Sequence, residues 1–158
     1  MNELIKIEDD EYTIYALGCI YNNKTGRFIG REDDGYLRCD FKGKKQRMHR
    51  IIYETFCGKI KDGYFIDHKN RCKLDNRIEN LREATRSQNM ANQDISVRNT
   101  SGFLGVSKDR KKWEARVGID GKRIHLGYFD TALEAAIFRE NYIITNNLGF
   151  HTRNFPEM

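Results

Sequence analysis

Between Tyr64 and Asn89 the chain gathers the side chains best suited to chemistry. Asp67 and His68 stand side by side at the end of the short apolar run Tyr64-Phe-Ile, a turn-rich loop with Asp75, Asn76, Arg77 and Asn80 follows, and Thr85-Arg-Ser-Gln-Asn89 opens a helix. A carboxylate, an imidazole and several amides in so short a span suit a site built around one metal ion. The imidazole titrates near neutrality, so it exchanges protons at physiological pH. Taken singly these features are ordinary, since an Asp-His pair is usually a surface or turn feature and Asn-rich loops are commonly turns. Their combination and spacing carry the reading.

The stretch resembles the HNH family of endonucleases, in the branch found in phage homing enzymes. There an Asp-His pair is followed by Asp-Asn-Arg-Ile-Glu-Asn-Leu and then by Thr-Arg-Ser-x-Asn, which here are Asp67-His68, residues 75–81 and residues 85–89. Upstream, Gly18-Cys-Ile-Tyr21, Gly35-Tyr36-Leu37 and Met48-His49-Arg50 are similar to the segment that precedes the motif in that branch. The resemblance implies a metal-dependent DNA endonuclease of the homing type that hydrolyses phosphodiesters at a preferred site. His68 is then the general base for the attacking water, a role that typically contributes about 10²–10⁴-fold in rate. Asp67 and Asn89 match the metal ligands, and two oxygen donors favour one hard divalent ion, Mg²⁺ or Mn²⁺, per active site. Asn80 matches the central Asn, which braces the loop and fixes the histidine. Asn89 takes the place of the final motif histidine, which favours an oxygen-loving ion over zinc. Arg77 is a candidate phosphate contact, and Asn76 a residue that shapes the loop. His49 keeps three readings: a DNA-backbone contact, a support for the site, or a packed or capping histidine.

Such a site needs a scaffold. Tyr64–His68 reads as one strand of a hairpin, Leu81–Ala84 as the return strand, and Thr85 to Gln88 as a capping box that starts a helix. Neighbouring strand residues point to opposite faces, so Asp67 and His68 serve one site only if the strand ends or twists there, as the loop from Lys69 permits. Ahead of the hairpin, residues 12–46 are rich in Tyr, Phe, Ile and Gly and are punctuated by turns at Asn22–Gly26, Asp33–Gly35 and Lys42–Lys44. They predict a small antiparallel sheet with strands near 13–21, 27–31, 36–41 and 45–48. Ile51, Ile52, Thr55 and Phe56 fall at helical spacing from His49, with Gly58 as the stop.

The polar run from Asp94 to Ser101 reads as a linker. Past it, Phe103–Lys108, Lys112–Ile119 and Lys122–Tyr128 read as three strands, the last two joined by the hairpin turn Asp120-Gly121. Thr131 and Glu134 stand at capping-box spacing ahead of a helix to about Asn147. Alternation sends Trp113, Ala115 and Val117 to one face against this helix and leaves Arg116 outward, with Arg123 and His125 outward on the third strand. Gly105-Val106, Trp113, Leu126-Gly127 and Thr131–Ala136 resemble the APETALA, or ethylene-response-factor, DNA-binding domain. That resemblance implies DNA contacts at Ser107, Arg116, Arg123 and His125, with Lys108 and Arg110 nearby. Arginines on a sheet suit bidentate contacts to guanine in a major groove, and lysines mainly position the protein.

The expected fold class is therefore α+β: an N-terminal sheet with a beta-beta-alpha metal nuclease module (residues 1–93), a linker (94–101), and a three-stranded antiparallel sheet packed on one helix (102–158). The formal net charge of +5 is concentrated between Arg98 and His125, where eight Lys and Arg meet three acidic residues. This fits a phosphate-binding face and double-stranded DNA as the partner of a monomer or homodimer. No apolar run approaches a membrane span, and the Met1-Asn-Glu-Leu-Ile-Lys start lacks the layout of a signal peptide, so an intracellular, cytoplasmic protein is expected. Cys19, Cys39, Cys57 and Cys72 are widely spaced and read as reduced thiols rather than a zinc site. The rival readings are a DNA-binding regulator that keeps the fold without the chemistry, and a protein-interaction module.

Overall fold

The computed structural model describes residues 5–157, so the reading of the first residues as lacking a signal peptide lies largely outside them. The chain divides into two compact units, residues 1–84 and 85–158. The expected boundary was the linker at 94–101. The division falls earlier because the helix after Thr85 packs against a strand of the second unit.

In the first unit β1 (Lys6–Glu8), β2 (Tyr12–Tyr15), β3 (Cys19–Asn22) and β4 (Arg27–Ile29) form an antiparallel meander. A second meander holds β5 (Arg31–Asp33), β6 (Tyr36–Phe41) and β7 (Lys44–Arg47). The strand expected at 13–21 is two strands, because the turn at Ala16–Gly18 reverses the chain. The strand expected at 27–31 is also two, in different sheets, with Gly30 at the break, where φ is +134° and a β-carbon would meet the Met48 Sδ. Helix α1 (Met48–Cys57) leaves β7 directly and buries Met48, His49, Ile51 and Ile52 on one face. Gly58 ends it at φ +88°, in the left-handed region that favours glycine. Ile20, Met48 and Ile52 are almost wholly enclosed and centre a core that also takes in Ile14, Ile51, Ile66 and Leu81. The nuclease-type hairpin, β8 (Phe65–His68) and β9 (Leu81–Ala84), is thus fastened to α1 by its apolar residues.

The second unit opens with α2 (Arg86–Ala91). Its capping box is complete: Gln88 N donates to Thr85 Oγ1 and Thr85 N to Gln88 Oε1, satisfying two helix-end donors. The sheet β10 (Val106–Asp109), β11 (Lys112–Ile119), β12 (Lys122–Phe129) is an antiparallel meander. A register shift at Ala115/Arg116 puts Arg116 opposite His125. Helix α3 (Ala132–Thr145), capped by Thr131 and Glu134, lies on the sheet through Ala135 and Ala136 against Val106 and Ala115, with Trp113 and Leu126 packed beside them. The C-terminal tail packs on the same unit. Arg153 and the Asn154 N–H hold the fully buried Glu140 carboxylate, Asn154 exchanges hydrogen bonds with Leu104, and Phe155 meets Phe103. No helix among the described residues is long and apolar enough to cross a membrane, and the four cysteines are free thiols.

Candidate active site

The end of β8 is enclosed. Asp67, His68, Asn76, Asn80 and His49 are all less than a tenth exposed, and five polar groups that deep need partners. His68 finds one across the loop: its Nε2 lies 3.1 Å from Asn76 Oδ1. With Nε2–H donating to that amide oxygen, the neutral ring carries its lone pair on Nδ1. Burial lowers the His68 pKa, opposed by the Asn76 hydrogen bond and the Asp67 charge, so the imidazole is the neutral form at pH 7. A base must be neutral to accept a proton.

Around this ring stand two more. His49, from α1, meets His68 edge-on with centroids 5.0 Å apart, and Tyr36 of β6 lies 5.4 Å from His49 and 6.3 Å from His68. Arg47 and Lys73 lie against the Tyr36 ring. Enclosure, with the charge of His68 a smaller cause, depresses His49 to about 3, and its buried Nδ1 has no hydrogen-bond partner among the described residues. Of the three readings of His49, a packed support beside the site matches this placement.

Asp67 points to the other face of β8, as strand alternation requires. It sits opposite Arg82 in the hairpin register, and Arg82 Nε donates to its Oδ2 at 2.8 Å. The strand ends at His68, where Lys69 begins the loop. That loop is built by Asn80. Its Oδ1 accepts from Asn70 N, and its Nδ2 donates to Asn70 Oδ1 and to the Asp75 carbonyl. Asn70 in turn donates to the Asp75 carboxylate and accepts from Cys72 N. Asn80 therefore ties Asn70 to the Asp75 carbonyl, and the amide bonded to the histidine is that of Asn76. The loop also rests on the N-terminal sheet. Ile78 N donates to the Ala16 carbonyl at 2.8 Å, and at Gly18, where φ is +93°, a β-carbon would come within 2.7 Å of the backbone of Asn76 and Arg77. Arg77 forks onto Asp75 through Nε and Nη2 and also reaches Glu79. The pairing drives the Asp75 pKa well below the usual carboxylate range.

Asn89 lies on α2, in the second unit, and is not buried there. For a metal, the chemistry of the donor set decides the fit: a buried carboxylate and an amide oxygen suit a hard ion that completes its shell with water and phosphate oxygens. No group of three or more His, Cys, Asp and Glu among the described residues could hold a metal alone.

Apart from Arg77 in the loop of the first unit, the residues assigned to DNA contact lie on the second unit's sheet or, for Arg110, in the turn between two of its strands. Arg116 donates to Ser107 Oγ at 2.7 Å and pairs with Glu114, which also binds His125 Nδ1 at 2.9 Å. Lys108 lies over the Trp113 ring, Arg110 takes the turn into β11 at φ +52°, and Arg123 is exposed opposite Gly118. Sequence reasoning missed Arg82 outright and left His49 and Asn76 without their place at the ring. Arg82 was readable from hairpin register, since it must face Asp67. His49 carried only its place in Met48-His49-Arg50. Asn76 sits in an irregular loop whose course no periodicity announces.

Residues 46–91, which span α1, the hairpin and α2, match the family described as HNH endonuclease. The chain is 37% identical over 82 residues to Protein 3.8 of Escherichia phage T7, covering 51% of this chain and 68% of that protein. It is 33% identical over 110 residues to DNA endonuclease I-HmuI of Bacillus phage SP01, covering 66% and 60%. An uncharacterised HNH endonuclease, L560, of Acanthamoeba polyphaga mimivirus is 38% identical over 69 residues, 43% of this chain and 36% of that one. Among solved structures, that of DNA binding and cleavage by the HNH homing endonuclease I-HmuI aligns with a TM-score of 0.48 at 22% identity, over 82% of this chain and 77% of that one.

Proposed function

The chain belongs to the HNH family of DNA endonucleases, and from that premise we propose that it is a metal-dependent, site-preferring homing-type enzyme that hydrolyses DNA phosphodiesters with His68 as general base. The observation that carries this reading is the buried pair His68 and Asn76, in which the amide oxygen fixes the orientation of an imidazole that burial keeps in its neutral, proton-accepting form. The roles of the remaining side chains follow from their partners. Asn80 keeps the loop in the shape that brings Asn76 to the ring. His49 and Tyr36 wall the imidazole and keep its surroundings apolar enough to hold it neutral. Arg82 fixes the orientation of the Asp67 carboxylate. By the family pattern Asp67 and Asn89 would hold the ion. When bound, a hard divalent ion such as Mg²⁺ or Mn²⁺ neutralises charge on the phosphate and on the departing 3′ oxygen.

The partner in this reading is double-stranded DNA. In this reading the second unit supplies targeting through Ser107, Lys108, Arg110, Arg116, Arg123 and His125, on a three-stranded sheet backed by a helix. Arg77 is a further phosphate contact once it exchanges Asp75 for DNA. One such site per chain makes nicking natural for a monomer, and a double-strand break needs a homodimer or two events.

The test is supercoiled plasmid incubated with Mg²⁺ or Mn²⁺, beside an EDTA control and the His68→Ala variant. Open circles that require metal and vanish in the variant are the expected result. A variant that cuts as fast as the parent sinks the assignment of His68. DNA binding without cleavage in either metal, on a substrate carrying the native target, favours the DNA-binding regulator.

A further inference from the structure

A concentration of cationic side chains within the second unit extends beyond the outward sheet contacts already described, sharing Arg116 and Arg123 with them. Along β11, β10 stops opposite Ala115, so the edge of residues 116–119 is left without a strand partner on that side. A cleft of about 400 Å³ opens there, between α2, the β11–β12 hairpin and α3. Arg116, Lys122, Arg123, Arg139 and His151 line it, and no carboxylate among the described residues does.

Two of these side chains make the cleft more than a solvated basic patch. Arg139, on α3, is only 5% exposed, and its Nε has no hydrogen-bond partner among the described residues; Nη1 reaches the Thr152 carbonyl at 3.3 Å. The charge of its sequence neighbour Glu140 favours the guanidinium but is outweighed by burial, and that carboxylate accepts its hydrogen bonds from Arg153 and the Asn154 N–H rather than from Arg139. A guanidinium this deeply buried and only partly compensated is costly and is relieved by an anion. His151 donates through Nε2 to the Gly118 carbonyl at 2.8 Å, and its buried Nδ1 is also without a hydrogen-bond partner among the described residues. At the rim, Lys122 and Arg123 are exposed. Cations at the base and rim, with two unsatisfied nitrogens among the lining residues, fit a compact oxyanion that accepts several hydrogen bonds.

We propose that this cleft seats a phosphate group, specifically a backbone phosphodiester of the DNA that the protein cleaves, with Arg139 at its base and Lys122 and Arg123 at its rim. The choice of DNA rests on the endonuclease reading; the phosphate chemistry does not. The hairpin that carries Lys122 and Arg123 also carries the His125 and Arg116 face, so one strand of DNA meeting that face passes the mouth of the cleft. A phosphate held this way positions the duplex and carries no base information.

The test uses the full chain in metal-free buffer, where cleavage is silent. First, the thermal midpoint is compared in sodium phosphate and sodium chloride at equal ionic strength, for the parent, Arg139→Met and the rim double variant Lys122→Ala/Arg123→Ala. Phosphate should raise the midpoint of the parent and have little effect on either variant. Second, anisotropy of a labelled duplex is followed against salt. The rim variant should lose about tenfold in affinity near 0.1 M salt, and its log–log salt slope should be shallower by about one to two. If Arg139→Met fails to fold, the rim variant and Arg139→Lys, which should keep the phosphate response, decide the matter. Equal protection by chloride and phosphate, with an unchanged salt slope, overturns the proposal. Phosphate protection with an unchanged DNA slope overturns the DNA assignment in favour of a free phosphate ligand. A protein that binds phosphate and DNA as described yet never cuts would defeat the endonuclease reading and leave the cleft standing.

Discussion

The hairpin of the first unit and the sheet of the second hold their polar side chains in opposite ways. Around β8 the imidazole, carboxylate and amides are withdrawn from solvent and each is fixed by a named partner, Asn76 for His68, Arg82 for Asp67, Asn70 for Asn80. On the β10–β12 face the cations stand in water and are paired loosely with one another's neighbours, Arg116 and His125 sharing Glu114. Burial fixes geometry and shifts proton affinity, which chemistry on a bond requires. Exposure preserves charge for long-range attraction, which capture of a polyanion requires. The two regions should therefore fail differently when altered.

The largest separation should come from His68→Ala. Loss of the base should lower the single-turnover cleavage rate by about 10²–10⁴-fold while the equilibrium affinity for a duplex stays within about twofold. Equal loss in rate and affinity would break the division of labour. Next, Asn76→Ala should misdirect the ring and lower the rate by about 10- to 100-fold, again with affinity kept. Asn80→Ala should instead act through the loop, lowering stability by about 1–3 kcal/mol in denaturant titrations, because the three hydrogen bonds that tie Asn70 and Asp75 to the buried Asn80 amide are lost together.

The enclosed histidine also gives a pH signature. His49 has a folded-state pKa near 3, below its ordinary value near 6.5, so protons bind the unfolded chain more readily. Its contribution to stability is complete above that ordinary value and is lost as pH falls toward 3, at no more than about 1.4 kcal/mol per pH unit. Denaturation midpoints between pH 7 and 4 should fall for the parent and fall less steeply for His49→Gln. Parallel curves would show that His49 is not held neutral. The smallest effect belongs to the exposed face. Arg116→Ala should weaken duplex binding by a few-fold and reduce the salt slope by about one, while the thermal midpoint stays within about 1 °C.

Much of this architecture was legible in the residues. The capping boxes at Thr85 and Thr131 named both helix starts, because the signal is local and its geometry is fixed by backbone hydrogen bonding. Alternation in Trp113–Val117 assigned the faces of β11 correctly, since one side of a half-buried sheet must be apolar. Where the outcome depended on distant packing, the reading failed. The boundary after Ala84 is decided by what α2 packs against, and nothing in the composition of 94–101 reports that. The two broken strands turn on Gly18 and Gly30, whose positive φ angles answer to neighbours far along the chain. At the candidate site, the spacing singled out Asp67, His68 and Asn80, all of which are buried, whereas the contact between His68 and Asn76 exists only once an irregular loop has folded.

Gly18 has a consequence for portability. The segment that matches the family, residues 46–91, starts well after it, yet the loop carrying Asn76 is seated on the turn that Gly18 makes possible. Cutting out 46–91 and grafting it onto another protein would transfer every side chain of the motif and leave behind the anvil on which its loop is shaped. What can be moved between proteins as a working unit is the span that begins with the first sheet, and its smallest indispensable part, fifty residues from the histidine, is a residue with no side chain at all.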